Sequence, residues 1–379
     1  MPRAAGLPVI GSLPQIVVRP LQFLEESSLR QGGIFELDLG LTRAVMVADV
    51  ELAEHVLLKH ASNYGKGGDI WEAIRQVIGR GLGTSEGELW RRQRKLISPH
   101  FQPRVVEKYR ETIAETIDGV LGELDSRDSV NVARWCDRLT ATISVRLLFG
   151  SSLDASRVDE LRSAMADYSD LVLQGLVTRK LPRWLPLTGR ARLERVRQLF
   201  HQRVRDLIAE RRRNPGERSD LLGHLIDATD ELGAMSVSQL LDEATTFYVA
   251  GYETTGTALA WTLWLLAGHP KIRDELQAEL DRGHDQTPLL HACIQEGLRL
   301  YPPALFLVRH TVSGDVLGHH FIPKGTTVLV SPWLIHRNPE LWPRPTEFDP
   351  GRFLDPERAA ARPRLAWIPF GAGQRICVG

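Results

Sequence analysis

The feature that most constrains this fold is a largely apolar stretch from about residue 244 to residue 266. As a helix it is long enough to span a lipid bilayer. Glu253 lies near its middle, among several threonines, and a charge at mid-bilayer is costly. We therefore expect a long helix through the centre of a large globular core, apolar on nearly all sides.

The boundaries of this helix can be predicted from its flanking residues. Ser236 and Gln239 have the spacing of a capping box, and Gly268-His269-Pro270 is a strong stop signal. The predicted helix is roughly 45 Å long.

The rest of the chain predicts a mainly α protein with a small β subdomain. Residues 34–39 and 44–47 read as the two strands of a hairpin. Helical periodicity follows over residues 51–59, 90–96, 105–124, 134–148, 158–173, 191–212 and 289–300. Extended chain returns at 321–323 and 326–330, and the remainder to Cys377 reads as irregular coil. Without repeats or a clear linker, we expect one domain over residues 1–379.

Charge and cysteine usage limit the function classes. Lys+Arg and Asp+Glu are both 47, so no net field favours nucleic acid or an anionic membrane. Three scattered cysteines indicate a reducing compartment without disulfides. The N-terminus has no apolar signal region, so we expect a cytoplasmic protein with no membrane anchor.

Cys377 stands in a glycine-rich segment, Phe370-Gly-Ala-Gly-Gln-Arg-Ile-Cys377. A lone cysteine cannot build a zinc or iron–sulfur site, but it can be the one protein ligand of a haem iron. The glycines let amides approach the sulfur, and Arg375 is placed to pair with a haem propionate. The alternative is a buried inert thiol, which is how we interpret Cys136 and Cys293.

Two further motifs carry candidate functional residues. In Ala250-Gly251-Tyr252-Glu253-Thr254-Thr255, a glycine costs helix stability while an acid and a hydroxyl could relay a proton. The alternative is a threonine bonded to its own helix and a glutamate paired with a base. Glu296 and Arg299 are three residues apart on one helix, which is usually a surface pair. If they are buried, Arg352 is our candidate for a third member of a structural network.

With these motifs the chain resembles the cytochrome P450 family. The family's haem-loop pattern is met by Phe370, Gly373, Arg375, Cys377 and Gly379. The oxygen-binding helix pattern is met by residues 250–255. The Glu-x-x-Arg pair is Glu296 and Arg299, and Pro-x-Arg-Phe ends on Arg352 and Phe353.

The resemblance implies a monooxygenase that binds haem b (iron protoporphyrin IX). Cys377 would be the axial ligand, Thr254 would hold a distal water, and Glu253 would deliver protons from solvent. Other cofactor contacts implied by the family pattern are Trp90, Arg94, Ala250, Gly251, Arg309, Phe370, Gly371 and Arg375. One atom of O2 would enter a C–H bond, with electrons from a ferredoxin and its reductase.

We expect a hydrophobic substrate, because the residues that would line the pocket are mostly apolar. These residues are Trp71, Ile74, Thr246, Val249, Ala304, Leu305, Phe306 and Leu307. The opening residues 6–11 look like those of bacterial P450s that act on terpenoids or other secondary metabolites. The basic residues Arg91, Arg92, Arg94 and Lys95 form either a ferredoxin-docking cluster or an ordinary solvated helix face.

Two departures from the family pattern qualify the resemblance. Gly351 stands where many relatives have glutamate, with little expected effect because Arg352 is kept. The family's last helix and β segment, which follow the cysteine, have no counterpart, so we expect a C-terminally incomplete P450 domain. The alternatives are a peroxide-driven or non-oxygenating P450-type enzyme, against which Glu253-Thr254 speaks, and a truncated haem-binding remnant without activity.

Overall fold

The structure is a computed structural model that describes residues 1–379 except 9, 40–42, 123, 125–128, 151–155, 157, 161–189, 214–219 and 284–285. The chain divides into two compact units. The first unit is Met1–Gly68 with Ala258–Cys377, and the second is Asp69–Thr257 with Val378–Gly379. The single domain expected over residues 1–379 stays a prediction.

The first unit is built around a five-stranded sheet. The strands of the described residues are β1 (Ile34–Asp38), β2 (Arg43–Val47), β3 (Tyr64–Gly65), β4 (Thr229–Asp230), β5 (Gly233–Ala234), β6 (Leu307–Thr311), β7 (Asp315–Leu317), β8 (His320–Ile322) and β9 (Thr327–Val330). The sheet order is β1-β2-β9-β6-β3, with β2 and β9 parallel and the other pairs antiparallel. The predicted hairpin is confirmed, with Ile34 opposite Val47.

Side chains on β2 alternate between two apolar clusters, as the two-residue period of a strand requires. Val45 and Val47 belong to a cluster with Val328 and Val330. Ala44 and Met46 belong to a second cluster with Leu329. The sheet is therefore packed on both faces. In the same unit, β7 and β8 form a separate antiparallel pair.

The helical content is high, as predicted. The α-helices of the described residues are Leu13–Val18, Pro20–Gln31, Val50–Glu54, Gly68–Ile78, Gly87–Ile97, Pro103–Val106, Arg110–Leu121, Val132–Phe149, Arg190–Arg213, Leu221–Asp227, Val237–Gly268, Pro270–Asp281, Pro288–Leu300, Pro332–Ile335, Gly351–Leu354 and Pro356–Ala361. In the core of the second unit, three helices pack together. Val237–Gly268 contributes Leu241 and Tyr248, Val132–Phe149 contributes Val145 and Phe149, and Arg190–Arg213 contributes Phe200 and Val204.

The long helix, Val237–Gly268, begins and ends where the sequence predicts. Its capping box is confirmed: the Ser236 N–H donates to Gln239 Oε1 at 2.9 Å, and the Gln239 N–H donates to Ser236 Oγ at 3.2 Å. Burial is uneven along this helix: Leu240, Leu241, Ala244 and Tyr248 lie in the core of the second unit. In the segment Ala250–Thr255 only Tyr252 is buried. Among the described helices, none has the length and apolarity needed to cross a membrane.

Local differences from the predicted elements have physical reasons. Residues 51–59 form an α-helix followed by a π-helical turn, His55–Lys59. The predicted helix 105–124 is interrupted by the 3₁₀ turn Glu107–Tyr109. The coil expected before Cys377 contains short helices, because Ser331 and Asp355 cap the Pro-initiated turns that follow them. From residue 161 onward, the predicted helix 158–173 lies outside the described residues.

Candidate functional site

Cys377 lies at the end of a loop that begins at Phe370 and is closed by the backbone. The Cys377 N–H donates to the Phe370 carbonyl oxygen at 3.0 Å. Gly371 and Gly373 have φ of +73° and +72°, a conformation that L side chains rarely adopt. A Cβ on Gly373 would also collide with the carbonyl oxygen of Leu57. The glycine spacing in the motif is thus required by backbone geometry and by a close approach.

The three cysteines are free thiols in different surroundings. Cys136 and Cys293 are fully buried, whereas Cys377 is exposed. Burial, with the nearby Asp137 carboxylate, raises the pKa of Cys136 to about 11. Burial likewise raises the pKa of Cys293 to about 11. Both buried thiols stay protonated at neutral pH and are unsuited to metal ligation, which requires the thiolate.

The structure brings Glu296, Arg299 and Arg352 together inside the first unit. Arg299 Nε lies 2.6 Å from Glu296 Oε2, and neither side chain is exposed to solvent. Arg352 Nε lies 3.2 Å from Glu296 Oε1. The remaining donors of Arg299 bind Glu296 Oε1 and the carbonyls of His336, Pro345 and Glu347, which satisfies all five N–H groups. Such a buried charge network is stable only while every member remains.

His336 joins this network to the cysteine loop, and sequence reasoning missed it. Its Nε2 accepts the Ile368 N–H at 2.9 Å, so Nδ1 carries the proton and donates to the Arg299 carbonyl at 3.2 Å. The Gly371 N–H in turn donates to the Ile368 carbonyl at 3.1 Å. Burial and the Arg299 charge lower the pKa of His336 to about 3, so the ring is neutral. The sequence signal for His336 is its position directly after the apolar residues 332–335.

Of the arginines predicted to face propionates, Arg309 and Arg375 lie in the first unit. Arg309 is buried on β6, and its Nη1 donates to the Val308 carbonyl at 2.9 Å. Arg375 is half-buried in the 3₁₀ turn Gly373–Arg375. In the second unit, Trp90 and Arg94 lie one turn apart on the helix Gly87–Ile97, each half-buried.

The acid–hydroxyl segment of the long helix is exposed. Thr254 Oγ1 donates to the Ala250 carbonyl at 2.7 Å, which is the bond to its own helix expected of a purely structural threonine. Glu253 is exposed beside it. Gly251 has a packing reason, because a Cβ there would lie 3.3 Å from Ser144 Oγ. Ala250 and Gly251 are exposed, and their contact with a cofactor stays a prediction.

The segment Ala304–Leu307 contributes half-buried apolar side chains next to the cysteine loop. Leu305 and Phe306 pack against the sheet cluster that contains Met46. The methyl groups of Leu307 lie 3.7 Å from the position of a Cβ on Gly371. Ala304 is half-buried ahead of them. Within the first unit, this segment therefore supplies an apolar border to the loop.

The predicted pocket residues of the second unit are placed less uniformly. Trp71 and Ile74 are half-buried on the helix Gly68–Ile78, and Val249 packs against the core of this unit. Thr246 departs from the expectation that it lines a pocket. Its side chain is buried against Gly81, at which a Cβ would collide with the hydroxyl.

Two neighbouring acids on the long helix accept hydrogen bonds from a loop, and no sequence motif marks them as functional. Asp242 Oδ2 accepts the Arg80 N–H and Glu243 Oε2 accepts the Leu82 N–H, both at 2.9 Å. Glu243 is fully buried, and among the described residues its Oε1 has no hydrogen-bond partner. Burial raises the pKa of Glu243 to about 8, so it is mostly protonated at neutral pH.

The basic cluster on the helix Gly87–Ile97 is not wholly available for docking. Arg92 makes a bidentate pair with Asp230, with N–O distances of 2.8 and 3.0 Å, and also donates to the Gly233 carbonyl. Arg91 and Lys95 are exposed, while Arg94 is half-buried. A docking role therefore rests on the exposed Arg91 and Lys95.

The residues of the first unit fit a haem. The exposed Cys377 follows Ile376, which is 44% exposed, and its amide binds Phe370, which is 45% exposed. An apolar surface around one accessible thiol suits a flat apolar macrocycle that brings its other four metal ligands with it. Arg309 and Arg375 are the cations of this unit that would pair with its carboxylates. This donor set is compatible with a haem whose single protein ligand is a thiolate.

Comparison with known proteins narrows the class of protein. A family model described as Cytochrome P450 matches residues 1–379. The chain is 34% identical over 387 residues to cyclooctat-9-en-7-ol 5-monooxygenase of Streptomyces melanosporofaciens, covering 99% of this chain and 83% of that protein. It is 32% identical over 397 residues to pentalenene oxygenase of Streptomyces avermitilis, covering 99% and 85%. The structure of cyanobacterial CYP120A1 with retinoic acid matches at a TM-score of 0.87 and 26% identity, covering 100% of this chain and 87% of that one.

The chain belongs to the cytochrome P450 family. It is a cytochrome P450 monooxygenase, and the family implies a haem cofactor.

Proposed function

We propose that this monooxygenase binds haem b through Cys377 and hydroxylates a hydrophobic terpenoid. The observation that carries the proposal is the Cys377 loop, which presents one accessible thiol in a conformation that only its glycines permit. The terpenoid class is supported by relatives whose names specify a cyclooctatenol and pentalenene.

When bound, the haem supplies the oxygen chemistry, using O2 and two electrons to place one oxygen atom in a C–H bond and release the other as water. Cys377 would hold the haem iron through its thiolate sulfur. Arg309 and Arg375, with Trp90 and Arg94, would bind the propionates through charge-assisted hydrogen bonds. Ala250, Gly251, Phe370 and Gly371 would contact the macrocycle.

Proton delivery is assigned to Thr254 and Glu253. The Thr254 hydroxyl has one donor and two acceptor positions, and its proton is directed at the Ala250 carbonyl. Its acceptor positions therefore hold a water by receiving that water's hydrogen. Glu253 is exposed on the same turn and exchanges protons with bulk solvent. The pair would keep one ordered water supplied with protons in an otherwise apolar place.

A hydrophobic substrate is inferred from half-buried apolar side chains in each unit considered separately. These are Leu307 and its neighbours in the first unit, and Trp71, Ile74 and Val249 in the second. Such surfaces favour a hydrocarbon skeleton with few polar groups. Electrons would come from a ferredoxin and its reductase, with the exposed Arg91 and Lys95 as the cationic docking residues. The three free cysteines favour a reducing compartment, the cytoplasm.

The test is isotopic. Haem-loaded protein is incubated with a bacterial ferredoxin, its reductase, NADPH, 18O2 and a panel of terpene hydrocarbons and alcohols, and products are analysed by mass spectrometry. We expect a terpene product that is heavier by one labelled oxygen and that requires all three redox components. Product formed only with added hydrogen peroxide, and carrying peroxide oxygen, would instead support the peroxide-driven alternative. No product from any terpene, with oxidation of fatty acids or macrolides, would overturn the substrate class.

A further inference from the structure

Three metal-ligating side chains meet in the first unit, outside the cysteine loop. His55, His60 and Asp315 each offer one ligand atom, and these atoms lie within 4.8 Å of one another. Among the described residues, no other group of His, Cys, Asp and Glu has this arrangement. The two histidines come from the end of the helical segment after β2, and Asp315 begins β7.

The π-helical turn His55–Lys59 brings the two histidines together. Residues five apart in an α-helix point about 140° away from each other. Here the His60 N–H donates to the His55 carbonyl at 2.8 Å, which is the i to i+5 bond of a π turn. The imidazole rings consequently stack, with centroids 3.9 Å apart and planes within 6°. Because the nitrogen lone pairs lie in the ring planes, one ring has to rotate about its side-chain bonds for both to bind the same cation. Single π turns of this kind are found often at functional sites.

Asp315 is held facing the histidines. Its Oδ2 lies 2.9 Å from His55 Nε2 and accepts the Tyr64 hydroxyl at 2.9 Å, while its Oδ1 accepts the Val316 N–H at 2.8 Å. The side chain is only 15% exposed. A carboxylate oriented by a tyrosine and a backbone amide matches the way in which metal-ligating carboxylates are fixed in proteins.

The chain around the cluster is fixed as well. The Val312 N–H donates to the Asn63 carbonyl at 2.9 Å, and the Ser313 N–H donates to Asn63 Oδ1 at 2.8 Å. These bonds tie the segment before Asp315 to the segment before Tyr64. The nearby Lys59 ammonium group is 2.8 Å from the Glu54 carboxylate, which neutralises its charge. The backbone segments that carry the three side chains are therefore fixed relative to one another by hydrogen bonds.

We propose that His55, His60 and Asp315 form a binding site for a divalent cation of the zinc class. Two imidazoles and a carboxylate are a common zinc ligand set, and a water completes the tetrahedron. Calcium and magnesium prefer oxygen ligands, so two imidazoles disfavour them. Binding of the cation breaks the 2.9 Å contact between His55 Nε2 and Asp315 Oδ2, because both side chains then ligate the metal. The site is independent of the oxygenation proposed above.

The test measures zinc binding to haem-loaded, tag-free protein. After removal of metals by chelation, equilibrium dialysis against buffered Zn2+ with elemental analysis gives stoichiometry and affinity. We expect one zinc per chain at the tight site, not displaced by a hundredfold excess of Mg2+. His60→Gln and Asp315→Asn should weaken it at least tenfold, and Tyr64→Phe by about 10- to 100-fold.

The matched control is His319→Gln, an exposed histidine in the turn between β7 and β8. It should bind zinc like the parent. Because His60 is exposed, its substitution leaves the fold intact, which circular dichroism can verify. Zinc should also raise the Tm of the parent and of His319→Gln but not of His60→Gln. Equal zinc affinity in the parent and in His60→Gln, or no stoichiometric zinc in the parent, would overturn the proposal.

Discussion

The loop around Cys377 is supported by side chains from several parts of the first unit, whereas Thr254 is supported by its own helix in the second. A continuous chain of hydrogen bonds runs from Glu296 through Arg299 and His336 to the backbone at the start of the loop. Thr254 has its bond to Ala250 and lies exposed. Substitutions on the loop side should therefore damage folding, and substitutions in the helical segment should damage chemistry.

The largest effect is expected for Arg299→Ala. It leaves Glu296 as a buried charge with fewer partners and removes donors from three carbonyls, at a cost of about 3–5 kcal/mol. Urea denaturation should show the loss of stability, and haem content should fall with it. The control Arg273→Ala removes an exposed arginine beside Asp274 and should change stability little. A stable, haem-loaded but inactive Arg299→Ala protein would contradict the structural role.

Gly373→Ala should cause the next largest loss of unfolding free energy. Its matched control is Gly325→Ala, which has a similar positive φ but open space around the missing Cβ. The control isolates the backbone strain, about 1 kcal/mol. Gly373→Ala adds a collision with the Leu57 carbonyl, roughly 1–3 kcal/mol more, and should reduce haem retention. Equal losses of unfolding free energy in the two variants would show that the close approach is unimportant.

His336 and Glu243 should respond to pH in opposite directions. The pKa of His336 falls to about 3 on folding, so its contribution is complete above the unfolded value of about 6.5 and is lost as pH falls towards 3. The pKa of Glu243 rises to about 8, so its contribution is complete below about 4.3 and is lost as pH rises through 8. For each group, the free energy of unfolding changes by at most about 1.4 kcal/mol per pH unit.

Urea midpoints measured from pH 4 to pH 9 in the parent, His336→Gln and Glu243→Gln test this contrast. His336→Gln should flatten the acid side of the profile, and Glu243→Gln the alkaline side. Parallel profiles in all three proteins would mean that neither group changes its pKa on folding.

The smallest effect on stability, within about 0.5 kcal/mol, is expected for Thr254→Ala, because the lost bond is an exposed back-bond. Its effect on turnover should be large. Electron consumption should continue while product falls and hydrogen peroxide accumulates, as measured by NADPH oxidation alongside product analysis. Thr254→Ser should restore coupling, and Thr255→Ala, an exposed neighbour, should behave like the parent. Unchanged coupling in Thr254→Ala would refute the proton-delivery role.

Sequence patterns predicted the elements that local signals define. The capping box at Ser236 and the stop at Gly268 predicted the bounds of the long helix. Spacing paired Glu296 with Arg299, and the need for a second arginine in a buried network led to Arg352. The missed features depend on tertiary contacts. Nothing local distinguishes His336 from a surface histidine until the Ile368 amide is seen to bind it. The burial of Thr246 follows from the approach of Gly81, which lies far away in the sequence.

The central claim is that the Cys377 thiolate is the axial ligand of the haem. The carbon-monoxide difference spectrum of the reduced, haem-loaded protein tests it directly, because thiolate ligation shifts the Soret band of that adduct to the red. We predict the red-shifted band in the parent and in the control Cys293→Ala, and its loss in Cys377→Ala. A parent that binds haem without the shifted band, or a Cys377→Ala protein that keeps it, would contradict the assignment.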